Sequence, residues 1–341
     1  MAGGTTVLQR LARVLPAWPM RALGRPVAVH FHGVERVIED SRIQGHHHSR
    51  DAFYRLARTL KADFDVLPLS ALPDTLKNPS RHPRSVFLMA DGGYRNVLSN
   101  AADVLDALNL PWTLFLSTHH IDTGELNPFT AARLFYFFAP AGHHLIPQMG
   151  QPIDLGDSRS RVRAASKGIR KLKSLDVENG RKAVDAMLAA IPQDRLIGLK
   201  ARFQSERYLN WPQVAELARR GVAIGSHGHH HWPMHRGRTV RDLNEEVRAS
   251  KERIENQVGA CSAFAYPFGT TSDVSREAWR AVRDAGYVCA FTTLAGSLDG
   301  GANPWLLPRY ALARDDMRLS TLAPMLRAAN PRLAFWQKRL A

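Results

Sequence analysis

The stretch Val222-Ala-Ile-Gly-Ser-His-Gly-His-His-His-Trp-Pro-Met234 sets His227, His229, His230 and His231, with His235 just beyond, directly after a short apolar run. Imidazoles placed where a strand runs out into a loop are sited to ligate a metal ion or to move protons. His227 and His231 lie four apart, so one turn of backbone could aim both rings at one point. Taken alone, the same tract reads equally as a basic, solvated loop. A carboxylate that could join it is Asp91, which opens Asp91-Gly92-Gly93-Tyr94-Arg95-Asn96 after the apolar run from Arg84 to Ala90. His32 ends the run from Pro26, and His119 follows Trp112-Thr-Leu-Phe-Leu116. His32, Asp91, His119 and His227 therefore all fall at the C-terminal ends of candidate strands, where α/β sheets and barrels hold their ligands. The tract His46-His47-His48 points three adjacent rings in different directions and reads as a solvent-exposed loop.

The elements that must position these residues alternate. The spacing predicts a first strand from Pro26 to Val34 and a helix from Asp51 to Leu60 with Ser49 as its cap. A short strand, Asp65 to Leu69, leads to a small helix from Ser70 to Leu76. The run Arg84 to Ala90, apolar throughout, predicts a strand buried on both faces. A helix from Val97 to Leu108 and a strand from Trp112 to Leu116 complete a βαβ unit, which argues for parallel strands. From Ile121 to Tyr208 the pattern loosens into a mostly helical insertion, whose aromatic stretch Phe129 to Phe138 reads as helix or lid packing. Regularity returns with a helix from Asn210 to Gly221, the histidine stretch, and a long amphipathic helix from Thr239 to Val258. Strands follow at Cys261 to Gly269, Tyr287 to Thr292 and Leu307 to Leu312, with a helix from Ser275 to Ala285 between the first two.

The chain has 341 residues, 45% of them hydrophobic, enough for one large α/β domain or two smaller ones. Lys and Arg number 46 against 31 acidic residues, a net charge of +15, which points to an anionic partner. No RNP-like aromatic pattern or Cys/His finger accompanies that charge, so nucleic acid is not expected. Cys261 and Cys289 sit in apolar surroundings outside any CxxC and read as buried, reduced thiols. Arg10, Arg13 and Arg21 break up the N-terminal apolar residues, so neither a signal peptide nor a membrane span is expected. Leu8 to Leu23 could lie on a membrane surface as a basic amphipathic helix. A cytoplasmic, membrane-peripheral location is the expectation.

The ordered series Asp91-Gly-Gly-Tyr-Arg-Asn96, Asn210-Trp-Pro-Gln-Val-Ala-Glu-Leu, His227…His231, the helix with Glu246, Ser250 and Lys251, and Phe264-Ala-Tyr-Pro-Phe-Gly269 resembles the polysaccharide deacetylase family, the NodB-homology proteins of carbohydrate esterase family 4. The resemblance covers roughly residues 26–118 and 208–312. It implies a distorted, incomplete (β/α)7 barrel of the glycoside hydrolase/deacetylase type. The expected organisation is an N-terminal basic segment (1–25), one deacetylase domain (26–320) carrying the insertion at about 121–207, and a helical tail (321–341).

The resemblance also implies a chemistry, removal of an N- or O-acetyl group from a polysaccharide or lipid-linked glycan with the help of a divalent metal, zinc above all. Carried over residue by residue, His227 and His231 match the metal-ligating histidines and Asp91 the catalytic base, with His229 and His230 as rim residues. Where the family has a metal-ligating aspartate, this chain has Gly92, so the third protein ligand is not identified. The arginine that orients the base in many members is Ala265 here, and Arg309 on the last strand is the candidate replacement. Phe31-His32-Gly-Val34 resembles a first strand that supplies the general acid in a rearranged branch, which makes His32 the candidate acid for the leaving amine. Tyr94, Tyr266, Pro267 and Phe268 are the candidate substrate contacts. The expected partner is an acetylated glycan, anionic or lipid-linked, in cell envelope glycan biosynthesis. Two alternatives remain open: a degenerate deacetylase fold that binds glycan without hydrolysing it, which Gly92 supports, and a metal-independent C–N hydrolase of the same fold.

Overall fold

A computed structural model describes residues 25–312 together with Trp336 and Leu340. The basic N-terminal segment and most of the C-terminal tail lie outside the described residues. Eight strands share one parallel sheet: β1 (Val27–Phe31), β2 (Asp65–Val66), β3 (Ser85–Gly92), β4 (Thr113–Leu116), β5 (Ala223–Ser226), β6 (Ala263–Ala265), β7 (Cys289–Phe291) and β8 (Tyr310–Ala311). Their spatial order is β7-β6-β5-β4-β3-β1-β8, and β2 pairs with the first two residues of β3. The sheet curls into a distorted, incomplete α/β barrel. Its two edges are joined by one segment: Leu307 bridges Phe291 of β7, and three residues later Tyr310 pairs with Val29 of β1.

The period of two along each strand sorts the side chains. Val27, Val29 and Phe31 of β1, and Val86, Leu88 and Ala90 of β3, face outward under the helices. Ala28, Phe87, Met89, Phe115, Ala263, Ala265, Phe291 and Leu307 fill the barrel interior. Because His30 pairs with Met89 and Phe31 with Ala90 in register, the same inward parity carries His30, and then His32 and Asp91, to the head of the barrel. Gly225 of β5 is required inside it: a Cβ there would lie 2.6 Å from the Phe115 ring. Phe115 thus floors the interior beneath the polar head.

The elements between the strands follow the expected order with shifted bounds. Ser49 Oγ accepts the Ala52 N–H at 3.3 Å and starts the helix Arg50–Asp63. Asn210 and Gln213 cap Trp211–Arg219 reciprocally. The expected helix from Thr239 to Val258 is continuous, but Glu245–Ala249 is a π-turn within it. The insertion carries helices Pro128–Phe138, Ser158–Ser174, Val177–Ala189 and Gln193–Arg202 around a core of its own, including Phe135, Tyr136, Leu172 and Met187. Trp232, from the histidine stretch, is buried in that core and pins the insertion to the barrel head. Both cysteines are buried free thiols. Among the described residues, no helix is long and apolar enough to cross a membrane.

One expectation is corrected outright. His47 and His48 are 1% and 3% exposed, not solvated. His47–Ser49 forms a parallel strand against Gly33–Glu35, and His47 Nδ1 lies 2.8 Å from Asn96 Nδ2. A pairing between two short segments more than ten residues apart leaves no periodicity in either of them.

Candidate active site

Asp91 ends β3 at the barrel head, 1% exposed. Arg309, completely buried, reaches it from the closing segment. Its two terminal nitrogens donate to Asp91 Oδ1 and Oδ2, each at 2.8 Å, and its Nε donates to the Thr292 carbonyl at 3.0 Å. This planar, bidentate fit is the geometry a guanidinium offers and an ammonium cannot. Burial opposes ionisation of Asp91, but the Arg309 guanidinium, helped by His227 and His30, outweighs it and holds the carboxyl well below the usual carboxylate range.

Four imidazoles surround this pair. His30, missed in the sequence because it sits in an apolar run, places Nδ1 3.2 Å from Asp91 Oδ2 as an ion-pair contact, and its Nε2 is buried without a partner. His32 stands beside it, with ring centroids 5.6 Å apart. Ligand atoms of His30, His32 and Asp91 all lie within 4.8 Å of one another. His227 Nδ1 is 2.7 Å from the Ala265 carbonyl oxygen. That bond fixes the ring with Nδ1–H as donor and frees Nε2, the arrangement that orients a metal-ligating histidine. The His231 ring lies 4.9 Å from that of His227, and its Nδ1 is buried without a partner. Burial is the main cause that lowers the pKa of all four, with His32 and His231 held well below the ordinary histidine value. At neutral pH they are uncharged and present lone pairs.

Backbone strain is concentrated here. His231 and Phe268 adopt φ of 63° and 62°, a region non-glycine residues rarely occupy, and their rings meet at 5.3 Å. The loop bearing the histidines is held from behind by Glu246, in the π-turn. Its carboxylate accepts the N–H groups of His229 (2.9 Å) and His230 (3.1 Å). Burial raises the Glu246 pKa to about 7.

The structure thus gathers Asp91, Arg309, His32, His227 and His231, with Phe268 at the edge. Pro267 is buried behind them and packs towards Gly228, where an added Cβ would meet it at 3.4 Å. Two expected substrate contacts are corrected. Tyr266 has the outward parity: it is completely buried with Phe264 and Tyr287, and its hydroxyl donates to the Trp305 carbonyl at 2.9 Å. Tyr94 is 5% exposed and stacked on Tyr208 at 5.1 Å, so it builds the wall and offers no open face. His32, expected as the acid for the leaving amine, stands beside Asp91 as a neutral imidazole, which gives up a proton only after taking one up.

The donor set fits a divalent cation. The compact group is His30, His32 and Asp91, a nitrogen–oxygen set of the kind zinc accepts, and His227, with Nδ1 held by the Ala265 carbonyl, and His231, with Nδ1 unpartnered, stand beside it, outside that group. Gly92 contributes nothing to it. Its φ is 99°, and a Cβ there would lie 3.0 Å from the Tyr94 ring.

Comparison with known proteins bears on the fold. Residues 178–290 match a family model described as polysaccharide deacetylase. That match takes in the His227–His231 loop and β6 but stops short of β1, β3 and Asp91. Among curated proteins, none matches the chain in sequence. In structure, the chain is similar to the Streptococcus pyogenes deacetylase PplD in complex with acetate, with a TM-score of 0.58 and 13% identity, over 88% of this chain and 98% of that one. It is also similar to IcaB from Ammonifex degensii, with a TM-score of 0.55 and 15% identity, over 89% and 98% of the two chains. A de-N-acetylase from Aggregatibacter actinomycetemcomitans superposes with a TM-score of 0.53 and 16% identity, over 88% and 99%.

Proposed function

We propose that this member of the polysaccharide deacetylase family, a family of hydrolases acting on carbon–nitrogen bonds, removes an acetyl group from an amino sugar of a glycan, with a divalent cation at the barrel head. One observation carries the reading: a buried carboxylate, Asp91, locked by Arg309 at the C-terminal end of a barrel strand, grouped with His30 and His32 and with the neutral imidazoles of His227 and His231 nearby.

His227 and His231 would hold the cation beside Asp91, with His30, grouped with Asp91, as a further donor in place of the missing carboxylate at Gly92. A divalent cation, zinc by the nitrogen-rich donor set, would polarise the acetyl carbonyl and make water more acidic. The chain's own groups do the rest. Arg309 keeps Asp91 ionised and aimed, so Asp91 orients the attacking water and steadies the positive charge that His32 gains. His32, only partly covered, takes the proton of the attacking water. As the C–N bond breaks, it returns that proton to the leaving amine, and acetate departs. Phe268 and the neighbouring rim give the sugar an apolar face.

An anionic or lipid-linked glycan is supported by the net charge of +15 and by Arg163, Lys167 and Lys171, which line a cavity of about 550 Å³ along the helix Ser158–Ser174. Such a substrate would be met at a membrane surface, in the cytoplasm, as part of envelope glycan synthesis. Gly92 favours one second reading, a glycan-binding protein that has lost hydrolysis. Acetate release from N-acetylated oligosaccharides decides between them, measured with bound metal. The deacetylase reading expects acetate from the native chain and none from His227→Ala; tight glycan binding without acetate, at any metal loading, would sink it.

A further inference from the structure

His119, His229 and His230 have no part in the barrel head, yet they form a second compact group of ligand atoms, all within 4.8 Å of one another. Imidazole nitrogens sharing one zinc ion sit about 3.3 Å apart, so closing the group requires only side-chain rotation. The backbone already holds the rings in place. His119 N–H donates to the His229 carbonyl at 2.9 Å, Thr118 N–H to the Gly228 carbonyl at 3.3 Å, and Glu246 fixes the amides of His229 and His230.

The ring nitrogens are sorted as a metal site requires. His229 Nδ1 lies 2.7 Å from Thr118 Oγ1, and His230 Nδ1 lies 3.3 Å from Glu246 Oε1. Each ring is thus oriented through Nδ1 by a hydroxyl or a carboxylate behind it, and His230 Nε2 faces Glu245 Oε1 at 3.8 Å, a carboxylate a metal ion could displace. His119 Nε2 is 3.0 Å from Glu125 Oε2, an exposed carboxylate that can turn to become a fourth ligand. The group opens on a cavity of about 270 Å³, lined also by Asp185 and Arg181. Glu125, Asp185, Glu245 and Glu246 outnumber the single Arg181, so the surroundings favour a cation.

We propose that His119, His229 and His230 form a second site for a divalent transition metal, zinc by its donor set, that braces the loop between His227 and His231. Three imidazoles with a carboxylate in reach suit zinc, and a calcium or magnesium site would need oxygen ligands. The site ties the turn after β4 to the loop after β5, so filling it stiffens the segment that ends in the strained His231.

The test is titration of chelator-stripped protein with zinc alone, read by equilibrium dialysis and elemental analysis. His119→Ala and His229→Ala are each expected to bind one equivalent less than the native chain. The readout is a difference, so it is the same whether the native chain takes up two equivalents or one, and it stays separate from any acetate release. Glu125→Gln, at an exposed position where misfolding is not at issue, is expected to retain that equivalent with affinity weakened about tenfold. Equal stoichiometry and affinity in the native chain, His119→Ala and Glu125→Gln would overturn the proposal.

Discussion

At the scale of single residues, the site turns on Arg309 and Gly92. Arg309 supplies from the last strand the guanidinium that Ala265 cannot, and it does so with both terminal nitrogens and a third bond to the Thr292 carbonyl. Removing one member of a buried pair strands the other charge, at a cost of about 3–5 kcal/mol. Arg309→Ala should therefore lower the melting temperature and abolish acetate release together. Arg309→Lys keeps the charge without the fork and should lose kcat more than stability; equal loss in both variants would show that orientation is irrelevant. Gly92→Asp, which family resemblance suggests as a repair, should instead destabilise the chain by about 1–3 kcal/mol. The cause is its φ of 99° and the Tyr94 ring 3.0 Å from the new Cβ. Increased activity with undiminished stability in Gly92→Asp would refute that account. Asp91, His227 and His231 stand out in the sequence because histidines and a lone carboxylate at strand ends are unusual chemistry. His30 does not, because a polar residue inside a run of Val, Ala and Phe reveals its purpose only when the register sets it beside Asp91.

At the scale of elements, the barrel strands were legible as apolar runs, but which side of each run faced inward was not. Runs apolar on both faces carry no alternation, so Tyr266 could not be told from its inward neighbours Ala265 and Pro267 until β6 was paired. The π-turn at Glu245–Ala249 was equally hidden within an amphipathic helix, although it delivers Glu246 to the histidine loop. A tight constraint on the sheet lies between β4 and β5, where the Phe115 ring occupies the space of a side chain at Gly225. Gly225→Ala should cost about 1–3 kcal/mol through overpacking. Phe115→Leu should recover part of that loss in the double variant, where two independent changes would only add. Denaturant midpoints of the four chains in the cycle measure the coupling, and strict additivity would place the Phe115 ring elsewhere.

At the scale of the whole molecule, the notable feature is how many imidazoles the fold keeps uncharged. Burial lowers the pKa of His47, His120 and His230 to about 3 and that of His229 to about 4, and it also lowers His30, His32, His227 and His231. Below the ordinary histidine value the unfolded chain takes up protons that the folded chain refuses, so each group stabilises the fold fully above about pH 6.5 and loses that contribution as pH falls towards its folded value. Glu206 and Glu246, raised by burial to about 7, act in the opposite sense. They bind protons in the folded chain between about pH 4.5 and 7, so their contribution is lost as pH rises through that range. With His46, lowered by burial to about 4, and His235, also lowered, ten histidines against two glutamates decide the sign: stability must climb with pH from about 5 to about 6.5. Thermal melts of chelator-treated protein should show the melting temperature falling as the pH is lowered from 7 to 5. His120→Asn should shallow that fall, because His120 is buried against Tyr208 with neither ring nitrogen partnered. A melting temperature that holds steady or rises between pH 7 and 5 would mean that these imidazoles are protonated in the folded chain, and with them the neutral donor set on which both metal sites depend would be lost.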